Sequence, residues 1–307
     1  MNILITGGSG FVGRRVCELL LANGHSLVLL TRGQTPIASF GPLSAGQSLE
    51  VRNMSTDGQL PAGLLDDIDG IVNLAGEPLA TGRWTKAKKQ SILESRVNLT
   101  RQLVAAITQL ARPPRVLVNA SAVGYYGASE TAIMTESSPP GDDFLARVCI
   151  AWEQEARKAE SCGVRTVRIR ISLVIGRGAH ALRLMVLPFM FFVGGPLGNG
   201  KQWFPWIHRE DLARVIIQAL EDDAYQGPIN AVAPQVINQH DVSLAIGRVL
   251  GRPAWLTVPA FALRLLFGER AQVLLTGQRV VPQQLQDHGF KFKFTTIEAA
   301  LTDSLHQ

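Results

Sequence analysis

Cysteine is scarce in this 307-residue sequence, and the cysteines that occur are not paired. Cys17, Cys149 and Cys162 are far apart and form no CxxC motif. Closely spaced cysteines are the usual signature of a structural zinc site, and an even set at regular spacings indicates a disulfide framework. The sequence therefore predicts no metal site and a protein of a reducing compartment.

Long runs of like charge are also missing. The chain has 30 Lys and Arg residues against 25 Asp and Glu residues, a formal net charge of +5. No basic run resembles the arm of a nucleic-acid-binding protein. We therefore predict no nucleic-acid partner, and the mild positive charge indicates anionic small ligands at most.

No apolar run is long enough to cross a membrane. The most apolar segment, Leu182 to Gly195, contains Pro188 and is shorter than the roughly 20 residues that a spanning helix needs. It predicts a buried or pocket-lining helix rather than a membrane anchor. Because the first predicted strand begins at residue 2, we expect no signal peptide and a cytoplasmic protein.

The stretch from Met1 to Arg32 predicts a strand, a glycine-rich turn, a helix and a second strand. Glycines at a GxxGxxG spacing let the main chain approach a pyrophosphate, which can bind the amides at the helix N-terminus. The alternative is a glycine-rich turn in an unrelated α/β domain. The predicted cofactor residues of the turn are Gly7, Ser9, Gly10, Phe11, Val12 and Gly13.

The end of the second strand lacks the carboxylate that usually holds the ribose of NAD. Thr31 and Arg32 stand there, and the next carboxylate is Glu50. An arginine could pair with a 2′-phosphate and stack on adenine. We therefore predict NADP(H) as the cofactor; the alternative is that Arg32 only decorates the strand end.

Two later strand ends are assigned to the same cofactor site. Ile71 to Gly76 predicts a buried strand that ends in small residues, Leu74, Ala75 and Gly76, and these would let a cofactor lie against the backbone. The alternative is a simple exit from strand to loop. The set is completed by Arg96 and by Ser172, which lies near the end of a predicted strand over Val164 to Val174.

Strands alternate with helices through most of the chain, which predicts an α/β fold with a Rossmann-like, doubly wound parallel sheet. Helices are predicted over Trp84 to Leu110 and Phe144 to Ser161, and Thr35 to Leu65 reads as a surface crossover. We predict a Rossmann domain over residues 1–175, to which 205–232 returns. Residues 176–204 and 233–307 would form a small, mainly helical substrate lobe.

Polar and aromatic side chains follow a third buried strand, Val116 to Ala120. Ser121, Tyr125 and Tyr126 come directly after it, at the end of the sheet where α/β proteins bind ligands. The alternative is a polar turn with aromatic packing. A glycine-punctuated segment further along predicts substrate contacts from Lys201, Trp203, Trp206 and His208. Their rings favour an apolar or ring-bearing ligand, although core packing or a helix cap would use the same residues.

Taken together, these motifs resemble an extended short-chain dehydrogenase/reductase. The carrying residues are TGGSGFVG at 6–13, LAG at 74–76, Ser121 before YYG, and WIHREDL at 206–212. More narrowly, the chain is similar to an atypical subgroup, the epimerase family proteins of the 39U type. That likeness is carried by NLAGEP at 73–78, RWT at 83–85, GYYG at 124–127, DFLARVC at 143–149, GGPLGNGKQW at 194–203 and VPAFALRLLFGE at 258–269.

The sequence departs from most members of that family in its catalytic motif. Ordinary members carry a YxxxK motif whose lysine lowers the pKa of the tyrosine. Aligned on Glu153, Leu145 occupies the tyrosine position and Cys149 the lysine position, and RVNLT at 96–100 replaces the usual NxxGT. Of the usual tetrad only Ser121 remains, as the resemblance to the subgroup also implies.

Two hypotheses follow. The first is an oxidoreductase or epimerase acting on an unknown carbonyl or sugar-like substrate. Tyr126 or Tyr125 would donate the proton, Ser121 would orient the carbonyl, and Arg96 would stabilise negative charge. Cys149 is a candidate nucleophile, although a cysteine on an apolar helix face is more often a small core residue.

The second hypothesis is a non-catalytic NADPH-binding regulator or scaffold. The loss of YxxxK favours it, and the resemblance implies it as well, because relatives of this subgroup are associated with cell or plastid division. The family resemblance also implies a possible homodimer through the helices predicted over Trp84 to Leu110 and Phe144 to Ser161.

Overall fold

The computed structural model describes residues 1–33, 40, 47–79 and 82–306. The early part of the crossover predicted over Thr35 to Leu65 therefore lies largely outside the described residues. The strands are β1 (Asn2–Thr6), β2 (Ser26–Thr31), β3 (Leu49–Asn53), β4 (Gly70–Asn73), β5 (Val116–Ala122), β6 (Ile133–Met134), β7 (Arg165–Ile171), β8 (Leu173–Ile175), β9 (Trp206–His208), β10 (Gly227–Ala231) and β11 (Arg279–Val280).

Helices connect most of these strands, and the chain after β10 is mainly helical. They are α1 (Phe11–Ala22), α2 (Lys86–Ile107), α3 (Phe144–Arg157), α4 (His180–Met190), α5 (Arg209–Glu221), α6 (Gln239–Leu250), α7 (Ala260–Phe267), α8 (Ala271–Leu275), α9 (Gln283–Asp287) and α10 (Ile297–Leu305). The helices predicted over Trp84 to Leu110 and Phe144 to Ser161 are confirmed as α2 and α3, with a 3₁₀ turn over Lys158–Cys162 after α3.

Seven parallel strands form the central sheet, in the order β10-β7-β5-β4-β1-β2-β3. The strands β1, β2, β4 and β5 are mainly apolar, as expected where both faces of a sheet are covered, whereas β7 carries Arg165, Arg168 and Arg170. Side chains of α1 and α5 pack on one face, and side chains of α2 and α3 pack on the other. The predicted fold class, a Rossmann-like doubly wound sheet, is confirmed.

The direction of winding reverses at β1, which has β2 on one side and β4 on the other. In open α/β sheets this reversal leaves a crevice at the carboxyl ends of the strands, and ligands bind there. The glycine turn after β1 and the loop after β4 therefore lie on the two sides of one crevice.

The strand predicted over Val164 to Val174 is interrupted at Ser172. β7 ends at Ile171, and β8 pairs with β9 in a separate two-stranded sheet. Ser172 bonds twice to the carbonyl of Ala231: the backbone amide donates at 3.3 Å and the hydroxyl at 2.8 Å. These bonds close the end of β10 against β7 and turn the chain out of the main sheet.

Beyond that point the chain alternates between the main sheet and a second group of elements, called the second lobe, which comprises α4, α6, α7, α8 and α10 with the short β8–β9 sheet. β10 returns to the main sheet beside β7, whereas α4, α6 and α10 pack around their own apolar cluster. β11 pairs with β6, so the C-terminal segment is tied to a loop of the first lobe. The predicted mainly helical C-terminal part is therefore present as α6 to α10.

The segment from Leu182 to Gly195 was predicted to be a buried or pocket-lining helix, and of these alternatives burial was wrong for most of its length. Only Leu182, Phe189, Gly194 and Gly195 are buried there, whereas Leu187 and Met190 of α4 are about half exposed and Phe191 is 70% exposed. Pro188 lies inside α4, and the helix ends two residues later. None of the described helices is long and apolar enough to cross a membrane.

Candidate functional site

The turn between β1 and α1 can be made only with glycine at its key positions. Gly7 has a φ of +71°, a conformation that other residues rarely adopt, and its carbonyl accepts the Gly10 amide at 3.0 Å. A Cβ on Gly13 would lie 2.1 Å from the Gly7 carbonyl oxygen. The helix therefore packs directly on the turn, as the glycine spacing predicted.

The N-terminus of α1 is open to an anion. Its N-cap is Gly10, which has no side chain to accept a hydrogen bond from the first turn, and that turn contains no acidic residue. Unpaired amides and the helix dipole favour a phosphate at such an end. Ser9 is exposed, and Phe11 and Val12 are half-buried in the same turn. The cradle fits the pyrophosphate of a dinucleotide.

The loop after β4 closes the other side of the crevice. A Cβ on Gly7 would lie 3.0 Å from the Ala75 amide nitrogen, so the two segments are in contact. The Ala75 amide donates to Thr6 Oγ1 at 3.2 Å, which fixes Leu74 to Gly76 next to the glycine turn. The structure thus places the predicted small residues Leu74, Ala75 and Gly76 beside the turn.

A buried polar network supports this arrangement, although the sequence analysis did not predict it. Thr6 Oγ1 donates to Asn73 Oδ1 at 2.6 Å, and Asn73 Nδ2 donates to Asn119 Oδ1 at 2.6 Å and to Thr100 Oγ1 at 2.9 Å. Buried polar groups of this kind are satisfied by one another. The available signal was one asparagine in each of two mainly apolar strands, at the end of β4 and in the middle of β5.

Arg96 contacts the loop after β4 and fixes its position. Its guanidinium donates to the carbonyl oxygens of Ile92 at 3.0 Å and Glu77 at 3.1 Å, and its Cζ lies 5.3 Å from the Trp152 ring centroid. A Cβ on Gly76 would lie 2.9 Å from that Cζ. Burial lowers the pKa of Arg96. Both of these guanidinium bonds end on backbone carbonyls, so Arg96 positions the loop.

Two basic side chains, those of Arg32 and Lys88, lie near Glu77 in the loop after β4. Arg32 is exposed one residue after Thr31, whose hydroxyl donates to the Gly33 carbonyl at 3.0 Å. The ammonium of Lys88, 2.5 Å away, lowers the pKa of the Glu77 carboxyl, and Arg32 lowers it further. Arg32 therefore lies near the cofactor loop, where a 2′-phosphate could pair with it.

The hydroxyl of Ser121 is already engaged. It donates to Glu153 Oε1 at 2.7 Å, and the Arg170 guanidinium donates to the two carboxylate oxygens of Glu153 at 2.8 and 2.9 Å. Burial by itself would lower the pKa of Arg170, but the Glu153 carboxylate raises it, and the net pKa shift is upward. Because the Ser121 hydroxyl donates its hydrogen to Glu153, it can only accept a hydrogen bond from a ligand. The sequence analysis used Glu153 only as a reference position for the motif alignment and did not predict its ion pair with Arg170.

The proposal of Tyr126 as a proton donor is corrected by its surroundings. Its side chain is buried, its hydroxyl donates to Asn230 Oδ1 at 2.6 Å, and it accepts from Arg170 Nη1 at 2.8 Å. Burial raises the pKa of Tyr126 to about 12. Tyr125 remains half-buried, with the Arg170 guanidinium 3.5 Å from its ring centroid. Of the two phenols, only that of Tyr125 keeps a partly open position.

Cys149 is not an activated nucleophile. It is buried on α3 beside Ser121, and burial together with the Glu153 charge raises its pKa to about 11. A neutral buried thiol is a poor nucleophile. One turn earlier, Leu145 packs against the backbone of the 3₁₀ turn Val123–Tyr126, since a Cβ on Gly124 would lie 3.3 Å from its Cβ. An apolar residue thus occupies the tyrosine position of the resemblance.

Two of the predicted substrate residues do not face an open site. Trp206 is wholly buried in the core of the second lobe. His208 caps α5 by accepting the Glu210 amide on Nδ1 at 3.2 Å. Burial lowers the pKa of His208 to about 4, outweighing the attraction of Asp303, 3.3 Å away. The substrate prediction for both residues is therefore corrected, and packing and capping explain them.

The other predicted ligand residues are dispersed. Lys201 is exposed, and the Trp203 indole donates to the Glu130 carbonyl at 2.7 Å, tying the two lobes together. Ser172 uses its hydroxyl on Ala231. The described residues contain no cluster of three or more His, Cys, Asp or Glu residues that could hold a metal ion.

A cavity of about 250 Å³ opens beside Leu145 and Gly124. It lies between the N-terminus of α3, the start of α2 and the α8 segment of the second lobe. Its remaining lining comes from Trp84, Lys89, Gly127, Ala128, Asp143, Phe144, Glu269, Gln272, Val273, Thr276 and Gln278. Gly124 of the lining lies two residues after the end of β5, so the cavity adjoins the end of that strand.

Comparisons with known proteins agree with this architecture. The profile of the NAD dependent epimerase/dehydratase family matches residues 3–232, and DUF1731, a domain of unknown function, matches residues 258–304. The chain is 41% identical to the chloroplastic epimerase family protein SDR39U1 homolog of Arabidopsis thaliana, over 98% of this chain and 86% of that protein.

Similar relatives occur in bacteria and animals. The chain is 38% identical to the epimerase family protein YfhF of Bacillus subtilis, over 98% of this chain and 97% of that protein. The crystal structure of human epimerase family protein SDR39U1 (isoform2) with NADPH superposes with a TM-score of 0.86 at 35% identity, covering 100% of each chain. The glycine turn, the parallel sheet and the C-terminal segment therefore all match, and the chain belongs to the NAD dependent epimerase/dehydratase family.

Proposed function

We propose that this protein binds NADP(H) in the crevice between β1 and β4. The observation that carries the proposal is the uncapped N-terminus of α1 against a glycine turn that has no room for a Cβ. The residues that would hold the pyrophosphate are the amides of the turn, and Arg32 would pair with the 2′-phosphate. The human relative crystallised with NADPH supports the same cofactor.

We further propose that the protein is an oxidoreductase or epimerase with a non-standard site for an unknown carbonyl or sugar-like substrate. The cofactor, when bound, supplies hydride chemistry. Ser121, with its hydrogen on Glu153, would accept a hydrogen bond from the nicotinamide or the substrate. Tyr125 is the candidate proton donor, since the Tyr126 phenol is held by Arg170 and Asn230.

One group of observations favours a second candidate, a non-catalytic NADPH-binding regulator or scaffold. Ser121, Tyr126 and Cys149 are all buried, and the two hydroxyls are bonded within the protein. Such a site binds a cofactor without offering it a strong acid or base. This candidate predicts tight NADPH binding and no turnover.

One experiment separates the two. Purified protein is titrated with NADPH and NADH by cofactor fluorescence. NADPH oxidation is then followed across a panel of carbonyl compounds, and epimer formation is followed by NMR across a panel of nucleotide sugars, because epimerisation leaves no net oxidised cofactor. We expect NADPH to bind more tightly than NADH and at least one panel member to be reduced or epimerised. Tight NADPH binding without turnover on either panel would favour the regulator, and absence of binding would exclude both candidates.

A further inference from the structure

The cavity beside Leu145 has an apolar, partly aromatic wall. The rings of Trp84 and Phe144 meet edge to face with centroids 5.5 Å apart, and Leu145 continues the surface toward Gly124. Val273 of α8 lines the opposite side. Aromatic and aliphatic walls on two lobes are typical of a site for a ring, because a flat apolar ligand displaces water from both.

The charged groups that line this cavity already have partners within the protein. Lys89 lies 2.5 Å from Glu269 and 5.3 Å from the Phe144 ring centroid. Asp143 is the N-cap of α3 and accepts the Ala146 amide at 2.8 Å. Lys89 is the one cation of the lining among the described residues, and it already has a carboxylate partner.

This charge balance does not suit a nucleoside diphosphate. Two phosphates buried next to a protein surface need arginine or lysine side chains, or open helix amides, to offset the loss of hydration. The first turn of α3, the nearest helix N-terminus, is occupied by its own Asp143 cap. A nucleotide sugar would therefore bring two negative charges against Glu269 and Asp143.

Neutral polar groups of the lining remain available to a ligand. The Thr276 hydroxyl donates to the Gln272 carbonyl at 2.8 Å, so its oxygen can accept. Gln278 Nε2 donates one of its two hydrogens to the Val123 carbonyl at 3.1 Å, so its amide oxygen and its second N–H are left for a ligand. These groups match a hydroxyl or a carbonyl on an uncharged ligand.

We propose that this cavity takes an uncharged, ring-bearing alcohol or its carbonyl counterpart, and not a nucleotide sugar. The inference rests on the proposed function, because the cavity adjoins the end of β5 where the nicotinamide would lie. It narrows the substrate from a carbonyl or sugar-like compound to a neutral compound with at least one apolar ring.

The test measures binding directly. 1-Phenylethanol, acetophenone and UDP-glucose are titrated separately into the protein with and without NADPH, and binding is followed by saturation-transfer NMR. We expect both phenyl compounds to bind and UDP-glucose to bind more weakly than either. Val273→Trp, which fills the cavity, should weaken phenyl binding about tenfold or more, the cost of excluding a ring from an apolar pocket.

Leu265→Trp is the matched control. Leu265 is 79% exposed on α7 and does not line the cavity, so the same added indole should leave phenyl binding unchanged. Tighter binding of UDP-glucose, no phenyl binding, or equal effects of the two tryptophans would overturn the inference. NADPH binding is measured on the same samples, so a failure of the cofactor proposal is seen independently.

Discussion

The two ends of the crevice differ in the groups that form them: backbone at one end and side chains at the other. Between β1 and β4 the site is made of backbone: a glycine turn, an uncapped helix end and a loop of small residues leave amides facing outward. At the end of β5 it is made of side chains that are committed to one another, with Ser121, Glu153, Arg170 and Tyr126 joined by hydrogen bonds of 2.7 to 2.9 Å.

This difference separates binding from chemistry. A backbone cradle binds any ligand that has the right phosphate geometry, whereas a proton-transfer site needs a side chain with a free, poised hydrogen. Here the groups nearest the expected reaction end, apart from the half-buried Tyr125, are either apolar, as Leu145 is, or already bonded.

The largest effect is expected from Arg170→Met. Removing the guanidinium leaves the Glu153 carboxylate buried without its bidentate partner, and losing one member of such a pair costs about 3–5 kcal/mol. We expect the free energy of unfolding in urea to fall by about 4 kcal/mol. Arg248→Met, which breaks the exposed pair with Glu298, should change it by less than about 1 kcal/mol. Equal losses would contradict a buried network at this end.

The second effect concerns the backbone end. Gly13→Ala places a methyl 2.1 Å from the Gly7 carbonyl oxygen, so the turn must shift. Overpacking of this kind costs about 1–3 kcal/mol, and we expect NADPH affinity to fall roughly 10- to 100-fold. The measurement is an NADPH titration by fluorescence, with circular dichroism to check folding. Ala22→Val, at the exposed end of the same helix, serves as control, and an equal effect there would argue against a phosphate cradle at Gly13.

Most of the fold could be predicted from the sequence because it depends on periodicity and on glycine. The alternation of apolar strands with helices fixed the doubly wound sheet, and the GxxGxxG spacing located the turn at Gly7 to Gly13. The end of β7 was missed because nothing in the apolar run to Val174 marks the point at which Ser172 bonds Ala231. The exposure of α4 was missed because hydropathy alone predicts burial.

The reaction end was harder to predict because its partners are distant in sequence. Arg170 meets Glu153 across 17 residues and Tyr126 across 44, and these contacts decide which hydroxyls keep a free hydrogen. Sequence gives the residue type but not the direction in which a proton is donated. For the same reason Trp206 and His208, which look like pocket residues, prove to be core and cap.

The third prediction uses the buried His208. Its pKa is lowered to about 4 in the folded protein by burial, against about 6.5 when unfolded. The unfolded chain therefore binds a proton between pH 6.5 and 4 while the folded chain does not, so stability is full above pH 6.5 and falls with pH across this window. From this residue we expect a loss of about 2 kcal/mol between pH 7 and pH 5.

His208→Asn isolates that contribution. Asparagine can keep the N-cap of α5 but does not titrate, so the variant should lose less stability than wild type over the same pH range. Urea unfolding at pH 7 and pH 5 measures both proteins. NADPH binding at pH 7 should be unchanged in the variant. Identical pH profiles would show that His208 is not a buried neutral imidazole, and a large loss of NADPH affinity would return it to the ligand site.

The smallest effect tests the edge of the backbone cradle. Arg32→Asp replaces the proposed 2′-phosphate partner with a carboxylate, near Glu77, whose charge Lys88 and Arg32 both stabilise. The loss of one charge-assisted hydrogen bond at an exposed position should raise the NADPH dissociation constant about tenfold. NADH, which lacks that phosphate, should bind equally well or better, so the NADPH/NADH ratio is the decisive measurement. Arg83→Asp, a charge reversal before α2, is the control. If both cofactors weaken together in Arg32→Asp, the arginine supports the fold of the loop and does not select the phosphate.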